Sequence, residues 1–494
     1  MSSSGFSTDF LAFIAHGLRD TKKVKEGDIP ITDQAKVLDS VACISISHAE
    51  KQTVAVGVQV VNDGILVHVA ANDPLPPATL PHLRDIFARL QRIYKLHSQE
   101  RSPGIPSFIS SRTENPFKIE LLQLEIAILR FSWRKLAQRL TKDSRAEIFI
   151  TVLEDVCGAP ATQRTDLSGE ERELLGKLQA SPDLNKDLID GLASQVDELA
   201  KTLHLEANDE GAILVRQCIY SLMKLRQDFS NKWTLVVSWN LYTKLRANNR
   251  LSDGETSRKA PDVLRWISKV VSIREHYMRL ATVCTSNRLS NLLLRNIGIK
   301  EMVNSMPPAS HSLDIASLKE VLVAAGSAPE DPEPMGEFLE ILAASHSVSL
   351  GPTGKLETET LQPAHCECAL LVYLHGQPSI AYIGVSRLSC QFCHDYFTAY
   401  REATASTTCT RGTHGQSADW QCPTLVDSEL DSKIRGDLSS KFLPRIRKGW
   451  EARWPSSLAS QIPYMTTEER RFAEHGDGDE DYQKEMVRLG RRRV

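Results

Sequence analysis

One stretch constrains this chain more than any other: residues 362–394, QPAHCECALLVYLHGQPSIAYIGVSRLSCQFCH. Pro363 suits a helix opening, and His365, Cys366, Glu367 and Cys368 fall in or beside its first turn. Ala369 to Leu374 continue as a buried helix that Gly376 and Pro378 end. Ile380–Val385 is an apolar run with the length of a buried strand. Ser386–Ser389 then turn the chain into a second helix opening at Cys390, with Cys393 one turn later on the same face. The expectation is helix, strand, helix, with metal-ligating side chains at both helix starts.

A helix start stabilises negative charge, which favours the thiolates a metal needs. His365, Cys390 and Cys393 supply one imidazole and two thiolates, leaving a fourth position open, as in catalytic zinc sites. Zinc lowers the pKa of bound water to about 7. Glu367 stands beside these ligands but outside the set, placed to move protons. The alternative is a closed four-thiolate structural site from Cys366, Cys368, Cys390 and Cys393. Such sites usually follow C-x₂₋₄-C spacing, which Cys366 and Cys368 lack.

The H-x-E and C-x-x-C pair resembles the zinc-dependent cytidine-deaminase-like superfamily. The wording is closer still to a branch of fungal and bacterial toxin-type nucleic acid deaminases. Its pattern is matched by Tyr382-Ile383-Gly384-Val385-Ser386, Ser389-Cys390, Gly412-Thr413-His414-Gly415, Trp420 and Pro423. The resemblance covers about Pro363 to Pro423, a small part of the chain. Ser389 stands where most of the superfamily, though not this branch, has proline, and Cys366 replaces a usual small residue.

The resemblance implies an α/β fold, a cytidine-deaminase-like mixed sheet flanked by helices. It implies zinc on His365, Cys390 and Cys393, with Glu367 as proton shuttle. The reaction implied is hydrolytic deamination of a nucleobase, cytosine ahead of adenine, within nucleic acid. Asn72, Ser389 and His414 are the implied substrate contacts, His414 being equally suited to stabilise its glycine-rich turn. Two other readings stay open: an inactive zinc-fold binding or scaffold protein, and a deaminase of free nucleosides or nucleotides. No protein partner is indicated.

Upstream, Val54, Val56, Val58 and Val60, then Ile65, Val67 and Val69, alternate around Asp63-Gly64, which predicts a tight β-hairpin. Helical periodicity dominates from about His82 to Ala325. It is clearest at Ile119, Leu122, Ile126, Leu129, Trp133 and Leu136, and recurs over 208–228, 232–246, 261–280 and 312–325. Residues 326–334 read as a linker.

The expected organisation is a large mainly helical region over 1–335, a zinc deaminase core over 336–460, and a charged flexible tail over 461–494. Deaminases of the resembled family begin their sheet with a hairpin before the H-x-E helix. Here only Ser347–Leu350 and Lys355–Thr358, short and weakly apolar, directly precede it. The hairpin at 53–71 is therefore expected to complete the sheet, with the helical segment as an insertion.

A net charge of −3 argues against capture of nucleic acid by the whole surface. No apolar run of membrane length and no secretory start occurs, so no membrane role and a cytoplasmic or nuclear setting are expected. Four of the ten cysteines (Cys43, Cys157, Cys218, Cys284) are scattered; the other six crowd between Cys366 and Cys422, suggesting metal before disulfide. Lys441, Arg445, Arg447, Lys448 and Arg453 interleave with Phe442, Trp450 and Trp454. That pattern suits single-stranded nucleic acid, but an amphipathic helix accounts for it better. His204-Leu205-Glu206 lacks a partner C-x-x-C, and Tyr482 stands where a calcium loop at Asp477–Asp481 would need glycine.

Overall fold

The computed structural model describes residues 6–18, 32–48, 52–100, 104–106, 109–141, 186–230, 263–286, 288–303, 306–327, 331–359 and 364–454, with 169, 173 and 329 singly. The expected helix at 232–246, the tail at 461–494 and the Asp477–Asp481 run lie outside these residues. Along the chain come α1 (Thr8–Gly17), α2 (Asp33–Ile44), β1 (Val54–Val61), β2 (Gly64–Ala71), α3 (Thr79–Glu100), α4 (Pro116–Phe131), α5 (Trp133–Thr141), α6 (Lys186–Leu203), α7 (Asp209–Ser230) and α8 (Val263–Thr285). There follow β3 (Asn296–Met302), β4 (Ser310–Leu313), α9 (Ile315–Ala324), α10 (Glu333–Ser345), β5 (Leu356–Glu359), α11 (Cys366–Tyr373), β6 (Gly384–Val385), α12 (Gln391–Thr404) and α13 (Ser428–Arg453). The fold class is mixed α/β. Two compact units divide the chain: Lys22–Pro308 with Leu361–Ile434, and Met1–Thr21 with Ala309–Thr360 and Arg435–Val494.

The larger unit holds a four-stranded sheet in the order β3-β2-β1-β6. β1 and β2 form the hairpin, paired from Val54 opposite Ala71 to Val61 opposite Gly64. Its turn residues are Asn62 and Asp63, and neither has the positive φ expected around Asp63-Gly64. Gly64 is required for another reason: a β-carbon there would collide with the Asn296 carbonyl oxygen of β3, which runs parallel to β2. β1 is buried on both faces. Val54, Val56 and Val58 join the core with Leu38 and Val41 of α2 and Leu83 and Ile86 of α3. On the opposite face, a β-carbon at Gly57 would run into Leu370 and Leu374, so α11 lies directly against the strand.

β6 pairs antiparallel with β1, Ala55 opposite Val385 and Val56 opposite Gly384. The strand expected over 380–385 is regular for only these two residues. Tyr382 N turns back to the Ile380 carbonyl at 2.7 Å, which lifts Ala381 out of the ladder. The pairing resumes before it, where Ile380 N donates to Val58 O at 2.9 Å and Val60 N to Pro378 O at 2.7 Å. On its other side β6 is followed by residues 409–413, which run parallel through bridges Tyr382–Cys409 and Ser389–Thr413. Gly384 sits where the α2 backbone crosses the sheet; a β-carbon would clash with Leu38 and Asp39 main-chain atoms.

The single apolar face expected from Ile119 to Leu136 is split between two helices. α4 ends at Ser132, and Trp133 opens α5 with its indole N–H donating to the Leu203 and Leu205 carbonyls, both at 3.1 Å. Ile119 is 39% exposed, so that position leaves the stripe. Between α4, α7 and α8, Glu125 accepts from Arg216 at 2.6 Å and lies 3.4 Å from Arg274. The two guanidiniums also face Tyr220, and Arg274 faces Tyr277.

In the smaller unit β4 and β5 pair antiparallel, Ser310 opposite Glu359 and Leu313 opposite Leu356. The helix expected from Ser312 begins later, at Ile315. Asp314 caps it by accepting from Ser317 N while the Ser317 hydroxyl accepts from Asp314 N. Phe442, Ile446 and Trp450 of α13 are buried, with Phe338 edge-on to Trp450 and Trp454. The aromatic residues between the basic ones therefore pack inward. Among the described residues, no helix is long and apolar enough to cross a membrane.

Removing one member of a buried charge network leaves its partners uncompensated. Glu125→Gln is expected to destabilise the larger unit by about 3–5 kcal/mol in denaturant unfolding. A shift below about 1 kcal/mol would show the two arginines to be satisfied without it.

Candidate metal centre

The ligand-bearing residues sit at two helix starts brought together by the sheet. His365 is the N-cap of α11, with φ −60° and ψ 148°, and Cys390 is the N-cap of α12. The Cys390 sulfur accepts from Cys393 N at 3.4 Å, which folds the C-x-x-C into the first turn of α12. His365 Nδ1 lies 3.5 Å from Cys390 Sγ and 3.3 Å from Cys393 Sγ, and the two sulfurs are 3.5 Å apart. All three residues are buried. Tetrahedral zinc with bonds of about 2.0–2.3 Å spaces such ligands roughly 3.5–3.8 Å apart, so the cluster fits that ion with little adjustment.

The ring of His365 is oriented from behind. Its Nε2 lies 2.9 Å from the Asp419 carbonyl, which can only accept, so the proton sits on Nε2 and Nδ1 faces the thiols. Burial alone would depress this imidazole, but the Cys390 sulfur beside it, with Glu367, raises its pKa to about 9. Burial likewise opposes ionisation of Cys390. The Cys393 hydrogen bond and the His365 charge outweigh it, and the Cys390 thiol falls well below its usual range. Cys393 stays high, from burial and its neighbouring sulfurs.

The adjacent cysteines are differently placed. Cys366 and Cys368 are fully buried, and burial first of all drives both thiols up, Cys368 to about 11. The Cys366 thiol points toward the Thr53 carbonyl and Glu367 Oε2, at 3.7 and 3.6 Å. Among the described residues, the metal-sized cluster is His365, Cys390 and Cys393, without this pair. Glu367 is 3% exposed in the first turn of α11, next to the cluster and outside it.

Asn72 lies just past the end of β2. Its Oδ1 accepts from Cys366 N at 2.8 Å, and its own N–H donates to Thr53 O at 3.2 Å. The side chain thus satisfies a first-turn N–H of the helix that carries His365 and Glu367. Ser389 is buried, its hydroxyl 3.3 Å from that of Thr410, and its carbonyl accepts from Thr413 Oγ1 and His414 N. His414 Nδ1 accepts from Gln416 N at 3.1 Å, so the ring also steadies its turn. Trp420 packs in the core against Phe392 and Tyr396.

Two contributors escape sequence reasoning. The Asp419 carbonyl is main chain, and no residue type marks it. Asp39, on α2, accepts from Val385 N at 2.9 Å and from the Tyr382 hydroxyl at 3.0 Å, holding the strand that leads to Cys390. An acid inside the apolar stripe of α2 was its available signal. Losing a side-chain acceptor at a helix start costs about 1 kcal/mol. Asn72→Ala is expected to lower unfolding stability by that amount and to speed amide exchange at Cys366. Unchanged exchange there would remove Asn72 from the support of α11.

A family model described as OTT_1508_deam, -like deaminase, matches residues 364–424. None of the curated proteins and none of the solved structures matches the chain. The matched stretch is similar to a deaminase domain, and it contains all three members of the His–Cys–Cys cluster, together with Glu367 and the Asp419 carbonyl.

Proposed function

We propose that the protein is a zinc-dependent hydrolytic deaminase acting on a nucleobase, cytosine ahead of adenine, within nucleic acid. The observation that carries this reading is the convergence of His365 Nδ1 and the Cys390 and Cys393 sulfurs within 3.5 Å of one another, with Glu367 buried beside them but outside the cluster. The deaminase-type match over the same residues supports it. The fungal and toxin-type likeness of the G-T-H-G and S-C-x-x-C segments favours a polymeric substrate.

Zinc held by the three ligands would supply the Lewis acidity that ionises water near neutral pH. Glu367 takes the proton of the attacking water and hands it to the ring nitrogen. It then takes the remaining proton from the hydroxyl now on the ring carbon and delivers it to the amino group, which leaves as ammonia as the carbonyl forms. His365 keeps the orientation that the Asp419 carbonyl imposes. Asn72 spends its Oδ1 on Cys366 N, and its amide N–H₂ is the group left to donate to a substrate hydroxyl. Ser389, on the segment entering α12, and His414, on the segment beside it, are the other substrate contacts of this reading. Cytoplasm or nucleus would keep the thiol ligands reduced.

Purified protein is expected to hold about one zinc per chain. His365→Ala and Cys390→Ser should lose it, whereas Cys366→Ser and Cys368→Ser should retain it. Metal analysis giving the reverse order would replace the catalytic site with a structural one.

Glu367→Gln keeps shape and removes the basic carboxylate. Zinc content should be unchanged while deamination of a cytosine-containing oligonucleotide falls by about 10²–10⁴-fold. Full activity in this variant would remove Glu367 from the proton path.

A further inference from the structure

Cys366 and Glu367 are adjacent in the first turn of α11, and adjacent side chains on a helix do not normally face each other. Here they meet: the Cys366 sulfur lies 3.6 Å from Glu367 Oε2. The contact needs the longer glutamate chain to bend back toward the helix start, where His365 joins Cys390 and Cys393. Both side chains are buried, Cys366 completely. Among the described residues, the hydrogen bond that reaches the Glu367 carboxylate is this one.

The direction of the bond follows from its partners. The thiol faces Glu367 Oε2 and, at 3.7 Å, the Thr53 carbonyl. A carboxylate and a carbonyl only accept, so the hydrogen lies on sulfur and Cys366 is the donor. One S–H serves one acceptor well, and the charged oxygen at the shorter distance is the better one. The sulfur is itself held in place. Cys366 N donates to Asn72 Oδ1 at 2.8 Å, and Asn72 N donates to Thr53 O at 3.2 Å, so the open end of the hairpin sets the backbone that carries the thiol. A ligand role does not account for this residue, which stands outside the metal-sized cluster. Where the resembled superfamily usually has a small residue, this chain places a donor beside the carboxylate.

We propose that Cys366 is a positioning residue for the proton shuttle: its thiol holds one oxygen of Glu367 and leaves the other to exchange protons with water and base. The inference rests on the deaminase reading and deepens it with a residue that acts through Glu367. A glutamate turns about three side-chain bonds, and a proton shuttle works from a fixed position, so ordering it beforehand speeds the transfer. A thiol is a weak donor, and its loss therefore slows the reaction without abolishing it.

The test is infrared difference spectroscopy on the purified full chain. Subtracting Cys366→Ala from the wild type isolates the Cys366 S–H stretch from those of the other cysteines. The same subtraction in a Glu367→Gln background should show the band moved to higher frequency, because a neutral amide oxygen is the weaker acceptor. A thiol that merely fills space has a band indifferent to residue 367. Where Cys366→Ala fails to fold, Cys366→Ser serves as the reference for the same band. On a cytosine-containing oligonucleotide, Cys366→Ala is expected to lower kcat roughly tenfold, with KM and zinc content unchanged. Cys366→Ser, whose hydroxyl also donates, should recover part of that loss. A band that does not move with Glu367→Gln, or a folded Cys366→Ala with wild-type kcat, overturns the proposal. The infrared readout needs no turnover. A band that moves in a protein that deaminates nothing keeps the contact and removes the deaminase reading, whereas an unmoved band in an active enzyme removes the positioning role alone.

Discussion

Val54 N donates to the Ser386 hydroxyl at 2.9 Å, and Ser386 N returns a bond to the Val54 carbonyl at 3.0 Å, across 332 residues of chain. One residue earlier, the Thr53 carbonyl accepts from Asn72 N, and the Asn72 side chain holds Cys366 N. The open end of the hairpin therefore grips both approaches to the metal cluster. Through Asn72 it fixes the start of α11, which presents His365 and Glu367. Through Ser386 it fixes the loop that delivers Cys390 and Cys393. A hairpin alone is marginal in water, and its pairing with β6 and β3 closes both of its edges.

Burial and charge at the cluster follow from that grip. Two helix starts aimed at one point concentrate unsatisfied N–H groups there, a setting that favours thiolate over thiol. Burial opposes it, and among the sulfurs only Cys390, beside His365, is drawn below its usual range. Cys366, facing the Thr53 carbonyl and the Glu367 carboxylate, and Cys368, beside Cys393 and Trp420, are equally buried, and burial drives both thiols up. Sequence spacing already sets Cys366 and Cys368 apart from Cys390 and Cys393, and their surroundings agree.

What can be read from the chain is what depends on local pattern. Alternating valines name the hairpin, and the H-x-E and C-x-x-C strings name two helix starts and the cluster. The remainder depends on contacts distant in sequence. Ser132 ends α4 because Trp133 is pinned by the carbonyls after α6, which a continuous apolar stripe cannot reveal. The strand at 380–385 shortens because Tyr382 bonds back to Ile380. Gly64 and Gly384 answer to backbones that cross them rather than to turns. Lys135, in a helix that reads as ordinary packing, meets the Cys43 carbonyl of α2 only once α5 is placed.

Zinc K-edge X-ray absorption on the purified full chain tests the central claim most directly, because it counts the ligand atoms around the metal. The account predicts two sulfurs at about 2.3 Å and two nitrogen or oxygen ligands at about 2.0–2.1 Å, one of them exchangeable. A shell of four sulfurs would contradict it, since Cys366 and Cys368 would then close the position that catalysis needs.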